Sequence, residues 1–360
     1  MSEGLVDWAL AERIALALAG TGPAWDGEGD EALGAECERA VKLVRRYTRL
    51  RPKGGLPGAE LVGREEWVRT NLASFRDLST EIERGLAERV RVAGQTGRAP
   101  SALAAAAAGA ELGLATGYLA QRVIGQYDVA LIGPVRAPRL LFVAPNLAAA
   151  RERLDVDRGL FLRWIALHEA THAVQFAAVP WLRDHLGGIA RELLAEAAVE
   201  IKPGELLGRI VRLNPRELVR SVASGELASL LWSEPQRRQV ERLMAAMTVV
   251  EGYAEHVMDA VGEQLDPAYA ELRGRLDRNR ERRGFLEGIV SGLLGLEMKL
   301  AQYRRGKAFV DEVARKAGIR TMNRVWSGPE TLPSPEELDS PSDWVARVGA
   351  RRGRLALLRD

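Results

Sequence analysis

The stretch LHEATHAVQF, residues 167–176, carries two histidines four residues apart, with a glutamate directly after the first. On an α-helix, residues at this spacing lie on one face, one turn apart, so the imidazoles of His168 and His172 can reach a single metal ion. Glu169 then lies beside the first histidine, where its carboxylate can act as a general base on a water molecule. The stretch therefore predicts a helix that holds Zn²⁺ together with the base of a hydrolytic reaction.

The residues around this motif favour a helix over about 157–178. Apolar side chains flank it on both sides, and neither Pro nor Gly follows it before Pro180. The same motif also arises by chance in proteins without zinc, and a lone histidine on an apolar helix is commonly a hydrogen-bonded core residue. Two histidines and a carboxylate on an apolar helix, however, are costly to bury without a metal or full hydrogen bonding. A metal site is therefore the favoured interpretation.

The composition is that of a globular chain of one large domain or two smaller ones: 360 residues, 47% hydrophobic and 28% charged. The net charge of +2, with acids and bases interspersed, gives no electrostatic footprint for nucleic acid. Cys37 is the single cysteine, which excludes an internal disulfide and a cysteine-ligated metal cluster. Any protein ligands of the metal are therefore histidines and carboxylates.

Two segments bear on the cellular location. The N-terminal residues carry Glu3, Asp7 and Glu12 and no basic region, so they predict an amphipathic helix and not a secretory signal. The segment 102–120 is apolar, but Ala and Gly dominate it, and Gly109, Gly113 and Gly117 recur every four residues. We expect a buried helix whose glycine face lets another helix approach closely, no membrane association, and a cytoplasmic location.

Helical periodicity dominates the chain, and strand signals are confined to residues 127–132 and 139–143. Helices are predicted at about 4–19, 31–49, 64–90, 102–125, 157–178, 185–200, 215–230, 235–262, 267–282 and 284–316. The fold class is therefore mainly α with a small β-sheet (α+β). We predict an N-terminal helical region at 1–98, a metal-binding catalytic region at 99–326, and a C-terminal loop and basic tail at 327–360. All three regions together are also compatible with one compact unit.

A catalytic zinc site needs a third protein ligand and one open position. The best candidate segment is VEGYAEHVMD, residues 250–259, in a predicted helix that is otherwise largely apolar. Glu251 and Glu255 fall about 40° apart on one face of that helix, with Asp259 about 40° further round. Stacked acids repel unless cations or hydrogen-bond donors lie opposite, so Glu251 is predicted as the third zinc ligand.

Glu255 and Asp259 are assigned to the surroundings of the metal. Glu255 would accept the Nδ1 hydrogen of a ligating histidine and so fix its tautomer, and Asp259 would do similar work further out. A solvent-facing acidic stripe is the alternative interpretation. His256 is a rival ligand, but it lies about 140° from Glu251 around the helix. His185 has no partner pattern and is predicted to be structural.

Several segments of the chain together resemble a known protein family. The segments 167–176 and 250–259, with REEWVRTNLASF at 64–75, YLAQRVIGQYDVAL at 118–131, LLFVAPNL at 140–147 and NRVWSGPETLP at 323–333, resemble an uncharacterised bacterial family of zincin-like zinc-dependent metalloproteases. Some of its members are labelled as associated with deazaflavin coenzyme biosynthesis. The resemblance covers nearly the whole chain and implies a zincin core with added helices and a glutamate as third ligand, but no particular substrate.

The expected reaction is hydrolysis of a peptide or small amide substrate, with Zn²⁺ on His168, His172 and Glu251 and with Glu169 as base. An edge strand among the two predicted strands would hold an extended substrate by backbone pairing; a small structural hairpin is the alternative. Three other functions remain open. One is a di-iron site, which is disfavoured because no second ExxH unit accompanies Glu251 or Glu255. The others are a catalytically silent zinc-binding structural or regulatory protein and a zinc hydrolase of non-peptide amides or esters.

Overall fold

The computed structural model describes residues 4–26, 29–92, 102–130, 136–200, 234–283 and 296–357. In the first part of the chain, the elements are α1 (Trp8–Ala19), α2 (Asp30–Thr48), β1 (Ala59–Val62), α3 (Arg64–Val92), α4 (Ala102–Ala120), β2 (Gly125–Asp128), β3 (Arg139–Val143), α5 (Ala144–Leu154), α6 (Arg158–Ala178) and α7 (Pro180–Glu200). They are followed by α8 (Glu234–Leu265), α9 (Tyr269–Arg283), α10 (Leu296–Ala317), α11 (Ile319–Met322), α12 (Pro335–Asp339) and α13 (Pro341–Leu357), with 3₁₀ turns at Asn323–Trp326 and Pro329–Thr331. The fold class, mainly α with a small sheet, is confirmed.

The chain divides into two compact units that alternate along the sequence. The first comprises Met1–Glu38 with Leu56–Glu169, and the second comprises Arg39–Gly55 with Ala170–Asp360. The two divisions that follow Glu38 and Glu169 fall inside the continuous helices α2 and α6. The boundary predicted at 98/99 and the helix predicted at 215–230 lie outside the described residues.

The first unit contains a three-stranded sheet in the order β1-β3-β2. β1 runs parallel to β3, and β2 runs antiparallel to it with Gly125 opposite Phe142. The strand predicted at 139–143 is confirmed, but β1 was not predicted, because its four residues AELV lack a clear alternation of polar and apolar side chains. β2 is an outer strand of this sheet, and it places its residues at an edge.

The two faces of the sheet are distinguished by their contacts. Leu141 and Val143 of β3 pack into a buried cluster with Trp67 of α3, and the Trp67 indole Nε1 donates a hydrogen bond of 2.7 Å to Gln126 Oε1 on β2. Because side chains alternate across a strand, Gly125 and Tyr127 lie on the opposite face of β2 from Gln126. This second face matters for the candidate site.

The glycine face predicted on α4 contacts the backbone of α1. A Cβ added at each of the three recurring glycines would lie 2.4, 2.6 and 2.7 Å from the carbonyl oxygens of Asp7, Ala11 and Ala15, respectively. The prediction of a close helix–helix approach is therefore confirmed. Only one face of α4 is buried, however, since Leu103 is 81% exposed. Among the described residues, α4 is the helix long and apolar enough, by length and composition alone, to cross a membrane.

In the second unit, α8 and α10 cross with their backbones in contact. A Cβ on Gly252 would lie 2.2 Å from the carbonyl carbon of Gly306, and a Cβ on Gly306 would lie 2.0 Å from the carbonyl oxygen of Thr248. Side chains at these two positions would force the helices apart. The crossing holds α8 in place one residue from Glu251.

Proline positions explain where two helices begin. Within the region predicted as a C-terminal loop and basic tail, the structure has the short helix α12 and then α13, which spans 17 residues and buries Trp344, whose indole donates to the Thr331 carbonyl oxygen at 2.8 Å. Pro341 is the first residue of α13, and Pro145 lies in the first turn of the unpredicted α5. Proline is tolerated there, because the first backbone N–H groups of a helix have no partner within it.

Candidate metal centre

The two histidines of the motif lie on α6, and Glu251 lies on α8. His172 Nε2 is 3.5 Å from Glu251 Oε2, and potential ligand atoms of His168, His172 and Glu251 all lie within 4.8 Å of one another. His172 is buried, and the other two side chains are partly exposed. Two imidazoles and one carboxylate that converge in this way form a candidate binding site for a cation.

Gln175 determines how His172 is presented. Its Nε2 donates a hydrogen bond of 3.1 Å to the Val250 carbonyl oxygen, which leaves its amide oxygen facing His172 Nδ1 at 3.0 Å. An amide oxygen can only accept, so His172 carries its hydrogen on Nδ1. The lone pair of Nε2 therefore points toward Glu251, which is the tautomer that a metal ligand needs.

Trp164 lies one helical turn before His168 and stacks against its ring. The ring centroids are 6.4 Å apart, and the planes are inclined by 20°. Phe161 in turn stacks on Trp164, and the centroids of these two rings are 6.0 Å apart. The aromatic rings limit the rotation of the His168 imidazole, so its orientation is fixed by packing.

The buried Glu169 carboxyl group lies against the backbone of β2. A Cβ added to Gly125 would lie 2.4 Å from Glu169 Oε1, so only glycine leaves space for the carboxyl group in this position. Cys37 is also close to it: burial, followed by the negative charges of Glu169 and Glu36, raises the pKa of the Cys37 thiol to about 12. Glu169 is therefore held at the edge strand of the sheet in a largely water-excluded environment.

The other two predicted acids have cationic partners. Arg273 of α9 forms ion pairs with Glu255 and, at 3.5 Å, with Asp259, and Lys307 Nζ lies 3.0 Å from Asp259. Arginine and lysine therefore compensate Glu255 and Asp259, so the stacking of these two acids does not itself require a metal. Since Gln175 accepts from His172, the role predicted for Glu255 can apply only to His168.

The remaining histidines have partners outside this cluster. His256 donates from Nδ1 to Asp311 Oδ1, and its Nε2 is hydrogen-bonded with the Tyr47 hydroxyl group, each at 2.7 Å. His185 contacts the edge of Trp181, and burial, followed by the charge of Arg242, lowers its pKa. Tyr253 is fully buried and donates to Asn323 Oδ1 at 2.7 Å. The described hydrogen bonds of His256 and Tyr253 thus join them to Tyr47, Asp311 and Asn323 and not to the candidate metal ligands.

The donor set fits zinc by its chemistry. Zinc in proteins takes imidazole nitrogen and carboxylate oxygen at about 2.0–2.1 Å, so two ligands of a tetrahedral ion lie about 3.3 Å apart. The 3.5 Å between His172 Nε2 and Glu251 Oε2 is close to that separation. The hydrogen bond to Gln175 supports the neutral imidazole form that binding requires.

Sequence comparison identifies the family to which these residues belong. The profile of the family described as zincin-like metallopeptidase matches residues 6–345. The chain belongs to this family. The zincin-like chain is also similar to a crystal structure from Chloroflexus aurantiacus, described as that of a candidate hydrolase with a novel fold. The two chains are 30% identical, the match covers 96% of this chain and 99% of the other, and the TM-score is 0.64. No curated protein matches the zincin-like chain.

Four residues of this zincin-like chain that contact the site residues were not predicted from the sequence: Gln175, Trp164, Gly125 and Arg273. Gln175 and Trp164 carry a recognisable signal, because they lie three residues after His172 and four residues before His168, on the same face of the helix. Gly125 and Arg273 are far from the motif in sequence and carry none. Their contacts depend on how the chain folds back.

Proposed function

We propose that this zincin-like protein is a zinc-dependent hydrolase of peptide or other amide bonds. In this proposal His168, His172 and Glu251 bind Zn²⁺, and Glu169 is the general base. The observation that carries it is the convergence of potential ligand atoms of these three residues within 4.8 Å, together with a buried glutamate on the helix of the two histidines, which a purely structural zinc site would not need. Membership of a metallopeptidase family supports the reaction class.

The proposed mechanism assigns one task to each side chain. Zinc held by His168, His172 and Glu251 would supply a Lewis acid that polarises the substrate carbonyl and lowers the pKa of water toward ~7. Glu169 takes a proton from the attacking water as the new C–O bond forms, and it returns the proton to the nitrogen as the C–N bond breaks. Gly125 gives the Glu169 carboxyl group its position, and Gln175 keeps His172 in the ligand tautomer.

An extended peptide is the substrate that the edge strand favours. β2 is an outer strand of the described sheet, and its Gly125 lies directly against the proposed base. A peptide that paired with β2 through its backbone would pass next to Glu169, because strand addition places the new chain about 4.8 Å from the edge. A non-peptide amide would lack this pairing.

The experiment compares the wild type with Glu169→Gln. Both proteins are loaded with zinc, their metal content is measured by mass spectrometry, and cleavage is followed on a library of unmodified peptides. We expect equal zinc content and a loss of cleavage in Glu169→Gln, because glutamine cannot take up the proton. Glu263→Gln, which changes an exposed glutamate of α8, is the matched control and should behave as wild type.

Two outcomes would count against the proposal. A wild-type protein that binds no zinc would remove the metal centre altogether. A wild-type protein that binds one zinc ion but cleaves no peptide or amide would favour the catalytically silent zinc-binding protein.

Replacing Glu251 by Ala should weaken zinc binding far more than replacing Glu255 by Ala, because of these two residues Glu251 is the one that lies beside His172 Nε2. The reverse order would exchange their roles.

A further inference from the structure

Amide hydrolysis develops a negative charge on the former carbonyl oxygen, and a preorganised hydrogen-bond donor usually stabilises it. The mechanism proposed above names no protein donor for this oxygen. Such a donor must carry an N–H or O–H group near Glu169, and it must be able to reach a substrate. Three described aromatic side chains with such a group invite comparison: Trp164, Tyr253 and Tyr127.

Two of these candidates fail on their surroundings. Tyr253 is fully buried and donates its hydroxyl hydrogen to Asn323 at 2.7 Å. Trp164 stacks on His168, but its Nε1 atom is sealed from solvent, so a substrate oxygen cannot approach it. Neither side chain can donate to a substrate without a rearrangement of the core.

Tyr127 has the required position. It lies on β2 two residues after Gly125, and side chains two residues apart project from the same face of a strand, about 6.7 Å from each other. Gly125 contacts the Glu169 carboxyl group on that face, whereas Gln126 points to Trp67 on the other. A tyrosine side chain spans about the same distance, so its hydroxyl group can reach the region beside Glu169.

The environment of Tyr127 suits a donor. The side chain is partly exposed, at the outer strand of the sheet. Burial raises the pKa of its hydroxyl group to about 12, which keeps the phenol protonated at neutral and moderately alkaline pH. A protonated phenol can donate one hydrogen bond to an oxyanion, and it cannot compete with Glu169 for the proton of the attacking water.

We propose that Tyr127 is a further catalytic residue, whose hydroxyl group donates a hydrogen bond to the tetrahedral oxyanion formed when an amide is hydrolysed beside Glu169. This proposal rests on the function proposed above. It assigns β2 two tasks, since one strand then positions the general base through Gly125 and supplies the oxyanion donor through Tyr127.

The test uses a phosphinic pseudopeptide, whose tetrahedral phosphinate oxygens resemble the oxyanion, and a thiol-containing peptide, which binds zinc without such an oxygen. Binding of both ligands to zinc-loaded wild type and Tyr127→Phe is measured by calorimetry, together with zinc content. We expect the phosphinate to bind about 10- to 100-fold more weakly to Tyr127→Phe, the range for one hydrogen bond to a charged group. The affinity for the thiol and the zinc content should not change.

A kinetic comparison adds a second readout. On any peptide that the wild type cleaves, Tyr127→Phe should lower kcat by about 10²–10³-fold with little change in KM, as for other oxyanion donors. Tyr118→Phe is the matched control, because Tyr118 lies on α4 beneath the Arg122 guanidinium group. It should leave both affinities and kcat unchanged.

The outcomes separate this inference from the proposed function. Equal phosphinate affinities for the wild type and Tyr127→Phe, with zinc bound, would overturn the role of Tyr127 and leave the hydrolase proposal intact. Equal losses for the phosphinate and the thiol would also overturn it, because they would indicate a structural role. A wild type that binds no zinc would overturn the proposed function first, and this inference with it.

Discussion

The Nδ1 atom of His172 lies 3.0 Å from the amide oxygen of Gln175, one helical turn further along α6. The Gln175 amide group is oriented by its own hydrogen bond to the Val250 carbonyl oxygen, on the helix that carries Glu251. The Val250 carbonyl group, which directly precedes the proposed ligand Glu251, thus sets the tautomer of the proposed ligand His172 through Gln175. A metal centre built in this way depends on a residue that is itself no ligand.

We therefore expect Gln175→Leu to weaken zinc binding by about 10- to 100-fold, the usual effect of removing a hydrogen-bond partner of a ligating histidine. Zinc affinity is measured by competition with a chromophoric chelator. Gln175→Glu is the matched variant: it also loses the amide hydrogen donated to Val250 but keeps an acceptor for His172. Equal affinities for Gln175→Leu and the wild type would show that the tautomer does not depend on this contact.

Gly125→Ala should impair catalysis without removing the metal. The added Cβ would lie 2.4 Å from Glu169 Oε1, so the carboxyl group must move, and it can do so because it is the end of a flexible side chain. Misplacement of a catalytic group by about 1 Å can lower the rate by about 10²-fold. We expect a kcat reduced at least tenfold, with zinc content and melting temperature near those of wild type.

The control for this prediction is Gly34→Ala in α2, where an added Cβ meets no atom within 4 Å. Alanine has the higher helix propensity, so this variant should be as stable as wild type or slightly more stable, with unchanged kcat. If Gly125→Ala retained full activity, the contact between β2 and Glu169 would have no catalytic importance.

The sequence predicted the parts of this centre that lie in one helix. The spacing of His168 and His172 is a local property, and a helix converts it directly into a shared face. The choice of Glu251 was also predictable, because the acids of α8 follow the same periodicity. What the periodicity could not show is that Arg273 and Lys307 compensate Glu255 and Asp259, since these contacts join separate helices.

The fold shows the same division between local and long-range information. β3 was predictable from its run of buried apolar residues, whereas β1 is short and gains its place only by pairing with β3, about 80 residues further along the chain. The contact of Gly125 with Glu169 arises only after the sheet has packed next to α6. No spacing in the sequence reveals such a contact.

Cys37 should make the stability of the fold depend on alkaline pH. Burial, with the charges of Glu169 and Glu36, raises the pKa of its thiol to about 12, whereas an unfolded chain ionises near 8.5. Above the unfolded value, the unfolded state releases a proton that the folded state retains. The free energy of unfolding therefore falls as the pH rises between these two values, by up to about 1.4 kcal/mol per pH unit.

This effect can be isolated by comparison with Cys37→Ala. Urea unfolding is measured at several pH values between 8 and 10.5 for both proteins. The wild type should lose more stability over this range than Cys37→Ala, and its thiol should react with a disulfide reagent far more slowly when folded than when unfolded. Parallel curves for the two proteins would mean that the thiol titrates normally.

The backbone contact between Gly252 and Gly306 has a consequence for the order in which the centre forms during synthesis. His168 and His172 leave the ribosome well before Glu251, and Glu251 leaves it before the helix that crosses α8 at Gly306. A nascent chain that ends between these glycines has all three proposed ligands but lacks the helix against which the last of them is held. Domains fold as units as they emerge, so we expect the protein to acquire its metal only after most of the polypeptide has been translated.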